Sequence, residues 1–83
     1  MQTRQVHVTS RLGLHPELAA RIVVLASQFS SGLCLAFNGR RASARNVLAV
    51  MLLAANVGST IAIEASGPDE VQAVEALGRL IER

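Results

Sequence analysis

Leu33-Cys34-Leu35-Ala36-Phe37-Asn38-Gly39-Arg40-Arg41-Ala42-Ser43-Ala44 sets the frame of this chain. Leu33, Leu35 and Phe37 alternate with Cys34 and Ala36, the period of a strand with one buried face. Asn38-Gly39 follows as a two-residue turn of type I′, because both residues tolerate positive φ. Arg40 to Ala44 is then a short return strand, polar and arginine-rich as an edge strand should be. This is the one place where two strands are joined directly. Everywhere else a segment of helical character separates them.

Upstream, Gln2 to Thr9 alternates polar and apolar residues, with Val6 and Val8 on one face and His7 on the other, so His7 is read as a surface residue without a role. From Pro16 to Phe29 the residues Ala19, Ile22, Val23, Ala26 and Phe29 recur at helical spacing, widened by Leu18 and Leu25, and Ser30-Ser31-Gly32 ends the helix. Downstream, Asn46 can cap a short helix over VLAVMLLAA, Val47 to Ala55, which is apolar nearly all round. Val57-Gly58-Ser59 reads as a turn, and Ile61, Ile63 and Ala65 mark the last strand. Gly67-Pro68 breaks that strand, and Asp69 and Glu70 supply the negative charge favoured at a helix start. Val71, Val74, Leu77 and Ile81 make an amphipathic last helix, in which Gly78 costs roughly 1 kcal/mol relative to alanine.

The order is βαββαβα. One tight hairpin and three helical segments predict an α/β (α+β) two-layer open-faced sandwich, with a four-stranded antiparallel sheet covered on one face by three helices. Residues 1–83 make one domain on this reading.

Composition narrows the function. An apolar fraction of 51% over 83 residues argues for a folded core, built mainly from Leu, Ile, Val and Ala because Phe29 and Phe37 are the only aromatics. All eight basic residues are arginines and the net charge is +2, too little for a nucleic-acid footprint. The order of elements overlaps that of RNA-binding modules, but those stack bases on sheet aromatics, and Phe37 points inward here. Arg40, Arg41 and Arg45 are expected on a solvated edge or as an aid to docking an acidic partner. Cys34 is the sole cysteine, so there is no intrachain disulfide, and His7 and His15 lack carboxylates at metal-ligand spacing. No cofactor is called for. MQTRQVHV has no signal-peptide run and Val47–Ala55 is too short to span a bilayer, so a cytoplasmic protein without membrane insertion is expected.

The chemistry is expected in GLHPELAA, Gly13 to Ala20. Gly13 permits a positive-φ turn, Pro16 fits the first helical position, and His15 falls at or beside the N-cap. Unsatisfied amides and the positive pole of the helix attract anions there, phosphate in particular. A neutral imidazole in that field is a nucleophile toward phosphorus that needs no activating base near pH 7.

Gly13-Leu14-His15, the helix with Ala19-Ala20, the Asn38-Gly39 hairpin, Val47-Leu48 with Met51, Gly58, IAIEASG and the closing GPDEVQAVEAL together resemble HPr, the histidine-containing phosphocarrier family of the bacterial phosphoenolpyruvate-dependent sugar phosphotransferase system. The resemblance runs through nearly the whole chain. It implies that His15 accepts a phosphoryl group on Nδ1 from enzyme I and passes it to a IIA-type protein, as a carrier rather than a turnover enzyme. It also implies that an exposed patch at Val47, Leu48 and Met51 docks both partners, where the residues alone favour a simple core segment. A monomer is expected.

The active-site loop departs from the family pattern GLHARPAA. Glu17 stands in place of an arginine that helps bind phosphate, Leu18 in place of a proline, and Pro16 brings a proline without an N–H to offer. A carboxylate about 6 Å from a doubly charged phosphoryl group disfavours it by roughly 1 to 5 kcal/mol. Arg21, one turn along the helix and suited to an ion pair with Glu17, or Arg11 ahead of the loop, is expected to supply the missing cation. Asn46 occupies the position of a regulatory serine in many Gram-positive members and has no hydroxyl to phosphorylate. Two readings follow: a phosphocarrier in sugar uptake or a related phosphorelay, or an HPr-like regulatory and protein-interaction module with weak or no phosphotransfer because of Glu17 and Pro16.

Overall fold

The computed structural model describes residues 1–82 and has the expected element order: β1 (Gln2–His7), α1 (Pro16–Ala26), β2 (Gly32–Phe37), β3 (Arg40–Ser43), α2 (Val47–Leu52), β4 (Thr60–Ser66) and α3 (Glu70–Ile81). The strands form one antiparallel sheet in the order β1-β4-β2-β3. Cα pairs such as Val6 with Ile61, Leu35 with Ile63 and Leu35 with Ala42 fix its register. Because β4 lies between β1 and β2, the chain leaves one edge, crosses through α1 and returns two places away. Asn38 and Gly39 have φ of 54° and 79°, the type I′ geometry that lets β3 fold straight back onto β2.

Strand alternation decides which face is covered. Val6, Leu33, Leu35, Ala42, Ile61, Ile63 and Ala65 are buried on one side of the sheet, while Thr3, Gln5, His7 and Arg41 lie exposed on the other. Ile22 and Ala26 of α1, Val50 of α2, and Leu77 and Ile81 of α3 complete the core from the helical layer. Each fully buried aliphatic side chain contributes about 1.5–3 kcal/mol of transfer free energy. The three helices therefore belong on the apolar face, and the opposite face stays open.

Several boundaries fall short of the periodicity. Helix α1 ends at Ala26 rather than Phe29, because the amides of Gln28 and Phe29 bond three residues back, to Leu25 O and Ala26 O at 3.1 and 3.2 Å, instead of four. Ser27 Oγ donates to Val24 O at 2.7 Å, and Arg45 Nη2 donates to the carbonyls of Ala26, Phe29 and Ser31 at 3.1, 2.7 and 3.0 Å. Helix α2 stops at Leu52, and Ala54 turns into the left-handed region at φ 58°, which sends Ala55 into the core. Strand β1 ends at His7, although Val8 still exchanges hydrogen bonds with Ser59 and Gly58.

The arginines expected on a solvated edge are more committed than that. Arg45 secures the end of α1, Arg41 pairs with Glu64 across the open face, and Arg40 Nη1 donates to Leu52 O at 3.3 Å. Asp69 is also more than a source of negative charge at the start of α3. Its carboxylate accepts Ser30 N, Ser31 N and Ser31 Oγ at 2.9, 2.9 and 2.6 Å, which ties the α1–β2 loop to α3. Gly78, unfavourable in a helix by itself, lies beneath the side chain of Arg4; a Cβ there would sit 3.1 Å from Arg4 Nε.

Candidate functional site

The site is assembled where the β1–α1 loop meets the end of α2. Gly13 takes φ 66°, and Leu14 N donates to Ala55 O at 3.1 Å. Leu14 is buried, so the residue after it is delivered to the surface in a fixed place. That residue is His15. It is the N-cap of α1 with extended φ and ψ of −77° and 168°, followed by Pro16 in the first turn.

As N-cap, His15 supplies the carbonyl that accepts Ala19 N at 2.9 Å, while its side chain caps nothing. Pro16 has no N–H, and the amides of Glu17 and Leu18 make no hydrogen bond among the described residues. Two donors at the positive end of an eleven-residue helix thus face out beside a half-buried imidazole. That arrangement suits an anion attached to, or arriving at, the ring.

His15, Glu17, Leu18 and Arg21 line an open cleft of about 360 Å³ together with Thr9, Ser10, Leu80 and Ile81. Thr9 Oγ1 is committed to Ile81 O at 3.1 Å. Arg21 Nη2 meets Glu17 Oε1 at 2.9 Å, an exposed i,i+4 ion pair. The structure therefore brings together His15, Glu17 and Arg21, whereas Pro16, although it joins His15 to Glu17, and Arg11, exposed on the loop, do not line the cleft. The walls from Ser10 and from Leu80 in α3 were not anticipated. Ser10 carried a weak signal as a hydroxyl beside the loop; Leu80 carried none, because its approach depends on how α3 packs against α1.

Apolar side chains are also exposed on the β1–α1 loop and on α2. Leu12 is 76% exposed, and Leu48 and Leu52, four apart on α2, are each 63% exposed. Val47 and Met51 are half-buried and packed against the core. Asn46 caps α2, with its side-chain oxygen accepting Ala49 N at 3.0 Å. Of the three residues expected to form a patch, Leu48 alone is freely exposed; Leu52, one turn along α2, and Leu12 on the β1–α1 loop are exposed as well. No helix among the described residues is long and apolar enough to cross a membrane.

Comparison with known proteins matches this geometry. The family model described as "PTS HPr component phosphorylation site" covers residues 2–83. The phosphocarrier protein HPr of Cupriavidus necator is 41% identical over 81 residues, spanning 98% of this chain and 91% of that protein. The HPr-like protein Crh of Halalkalibacterium halodurans is 36% identical over 83 residues, spanning 100% and 99%. The crystal structure of a phosphocarrier protein HPr from Bacillus anthracis superposes with a TM-score of 0.93 at 30% identity, covering 98% of this chain and 96% of that one. A histidine presented at the head of α1 and a sheet–helix sandwich shared from end to end place this chain in the HPr family of the phosphotransferase system.

Proposed function

We propose that this protein is a phosphocarrier that accepts a phosphoryl group on His15 from enzyme I and delivers it to a IIA-type acceptor in the cytoplasm, acting as a single copy. The observation that carries this reading is the imidazole of His15 beside the unpaired amides of Glu17 and Leu18. In the transfer, the Nδ1 lone pair attacks phosphorus, the bond from phosphorus to the donor atom of enzyme I breaks, and its electron pair stays with the donor. The proton left on the imidazolium of His15 passes to the departing donor group or to water. Delivery reverses these steps. The phosphoramidate keeps enough free energy for transfer in either direction, and the helix amides hold the anion without a metal or cofactor.

Leu48 and Leu52 on α2, with Leu12 on the β1–α1 loop, would dock both partners in turn. Hydrophobic contact of this kind leaves the His15 rim open to a partner's own reactive residue. Kinase control through a serine at the start of α2 does not apply, because Asn46 presents an amide there.

A second reading is favoured by one observation: the Glu17 carboxylate lines the same cleft as His15, and Pro16 offers it no N–H. On that reading the protein is a docking or regulatory module that takes phosphate poorly. Intact-mass measurement under mildly alkaline conditions, after mixing with phosphoenolpyruvate and the host's enzyme I, separates the two. Gain of one phosphate, lost in His15→Ala, is the result expected of the carrier. No gain, with Glu17→Arg restoring it, would establish the module instead.

A further inference from the structure

We propose that Arg21 is the cation that holds the phosphoryl group on His15, and that Glu17 keeps Arg21 at the cleft until that group arrives; this rests on the phosphocarrier reading. A phosphorylated His15 carries about two negative charges into a cleft whose walls include a carboxylate. Arg21 is the one arginine that lines this cleft among the described residues. The others are elsewhere or engaged. Arg40, Arg41 and Arg45 bond to Leu52 O, Glu64 and the α1–β2 loop, Arg4 lies over Gly78, Arg11 and the exposed Arg79 of α3 are outside the cleft, and Arg83 lies outside the described residues.

The ion pair itself has the properties of a holding contact. It joins Nη2 of Arg21 to Oε1 of Glu17 at 2.9 Å, with side chains 56% and 70% exposed, so it is weak and forms and breaks readily. The remaining guanidinium N–H groups bond to nothing among the described residues. A planar fork with free donors can turn toward a phosphoryl dianion, which is the stronger acceptor, and leave the single carboxylate.

Glu17 then has two effects of opposite sign. Before phosphorylation it draws the Arg21 side chain to the cleft. Afterwards, stripped of its partner, it faces the phosphoryl group and repels it, which favours passing the group onward. The chain would thus hold phosphate with a cation one turn along the helix while keeping the phosphohistidine easy to discharge.

The test is an equilibrium. With phosphoenolpyruvate, pyruvate and a catalytic amount of enzyme I, the ratio of phosphorylated to free protein does not depend on how fast the partner docks. Arg21→Gln should lower that ratio about tenfold, Arg21→Lys should recover most of the loss, and Glu17→Gln should raise it severalfold. An unchanged ratio in Arg21→Gln would overturn the proposal.

A second measurement needs no enzyme. In a His7→Gln background, which leaves His15 as the only histidine of the two in the sequence, potassium phosphoramidate phosphorylates His15 as its own P–N bond breaks and ammonia leaves with the displaced proton. The Arg21 Nε–H resonance should shift on phosphorylation, and less so in 0.5 M salt on the order expected from screening. An Arg21 resonance that stays in place would overturn the proposal. If enzyme I transfers nothing to the wild-type protein, the carrier reading falls by itself, and the resonance still decides whether Arg21 binds the group.

Discussion

Gly13 lies directly against the carbonyl oxygen of Ala55, so closely that a Cβ on residue 13 would collide with it. The same carbonyl accepts Leu14 N, and the two contacts lock the loop that presents His15 onto the turn after α2. Gly13→Ala adds a left-handed strain to this collision with backbone, which cannot move aside as a side chain would. We expect a loss of upwards of about 2 kcal/mol in urea unfolding, accompanied by slower phosphorylation of the remaining folded fraction.

Arg45 is expected to matter for stability and not for phosphate chemistry. Its guanidinium holds three carbonyls at the end of α1 and in the loop beyond, two of these bonds part-buried. Arg45→Ala should cost about 1–2 kcal/mol, measured by chemical denaturation, because those acceptors lose a charged donor. The equilibrium level of His15 phosphorylation at 10 °C should stay within twofold of wild type.

Acid should loosen the junction between the α1–β2 loop and α3. The Asp69 carboxyl is held below its ordinary value of 3.8, first by the Ser31 hydroxyl and then by the Ser30 amide. A carboxyl whose folded pKa is depressed contributes stability that is fully present above the unfolded value and lost as pH falls through the folded one. The stability advantage of wild type over Asp69→Asn should therefore be constant from pH 7 to about pH 5 and shrink below about pH 4. Urea midpoints at pH 7, 5 and 3 would show this; a constant gap would contradict it.

Leu48 should separate docking from folding. It is 63% exposed on α2, so Leu48→Asp should change stability by no more than about 0.5 kcal/mol. Phosphoryl transfer from enzyme I should nevertheless slow about tenfold, corresponding to roughly 1.4 kcal/mol of lost docking, while chemical phosphorylation of His15 proceeds as in wild type. Steady-state rates at several enzyme I concentrations give the comparison.

Gly78 and Arg4 should be coupled. Alanine at position 78 recovers up to about 1 kcal/mol of helix propensity, but only if the Arg4 side chain yields the space that it occupies. Gly78→Ala should accordingly stabilise the Arg4→Ala protein by about 1 kcal/mol and the wild type by clearly less. A double-mutant cycle on thermal midpoints measures the difference.

Much of the fold was legible because its signals are local. Alternation at Leu33, Leu35 and Phe37, the Asn38-Gly39 turn, the helical spacing from Leu18 to Ala26 and the capping oxygen of Asn46 each depend on near neighbours in the chain. The helix ends were misjudged for the complementary reason. Phe29 continues the apolar stripe of α1, yet the chain tightens after Ala26: Gln28 and Phe29 bond three residues back, and Arg45, sixteen or more residues away, holds the carbonyls of Ala26 and Phe29. Likewise, apolarity nearly all round α2 could not show that Leu48 and Leu52 face solvent while Val50 is buried.

The candidate site divides in the same way. A histidine at a helix start, the glycine that permits the turn, the proline without a donor and the i,i+4 pairing of Glu17 with Arg21 are all legible in the linear chain, because they follow from spacing within two turns of one helix. Packing in three dimensions is what puts Arg21 in a cleft with His15 and leaves Arg11 out, lines that cleft with Thr9, Ser10 and Leu80, and fixes Gly13 and Leu14 against Ala55. Those relations depend on how α1 packs against α2 and α3, and contacts between residues forty or more positions apart leave no periodic trace in a single chain.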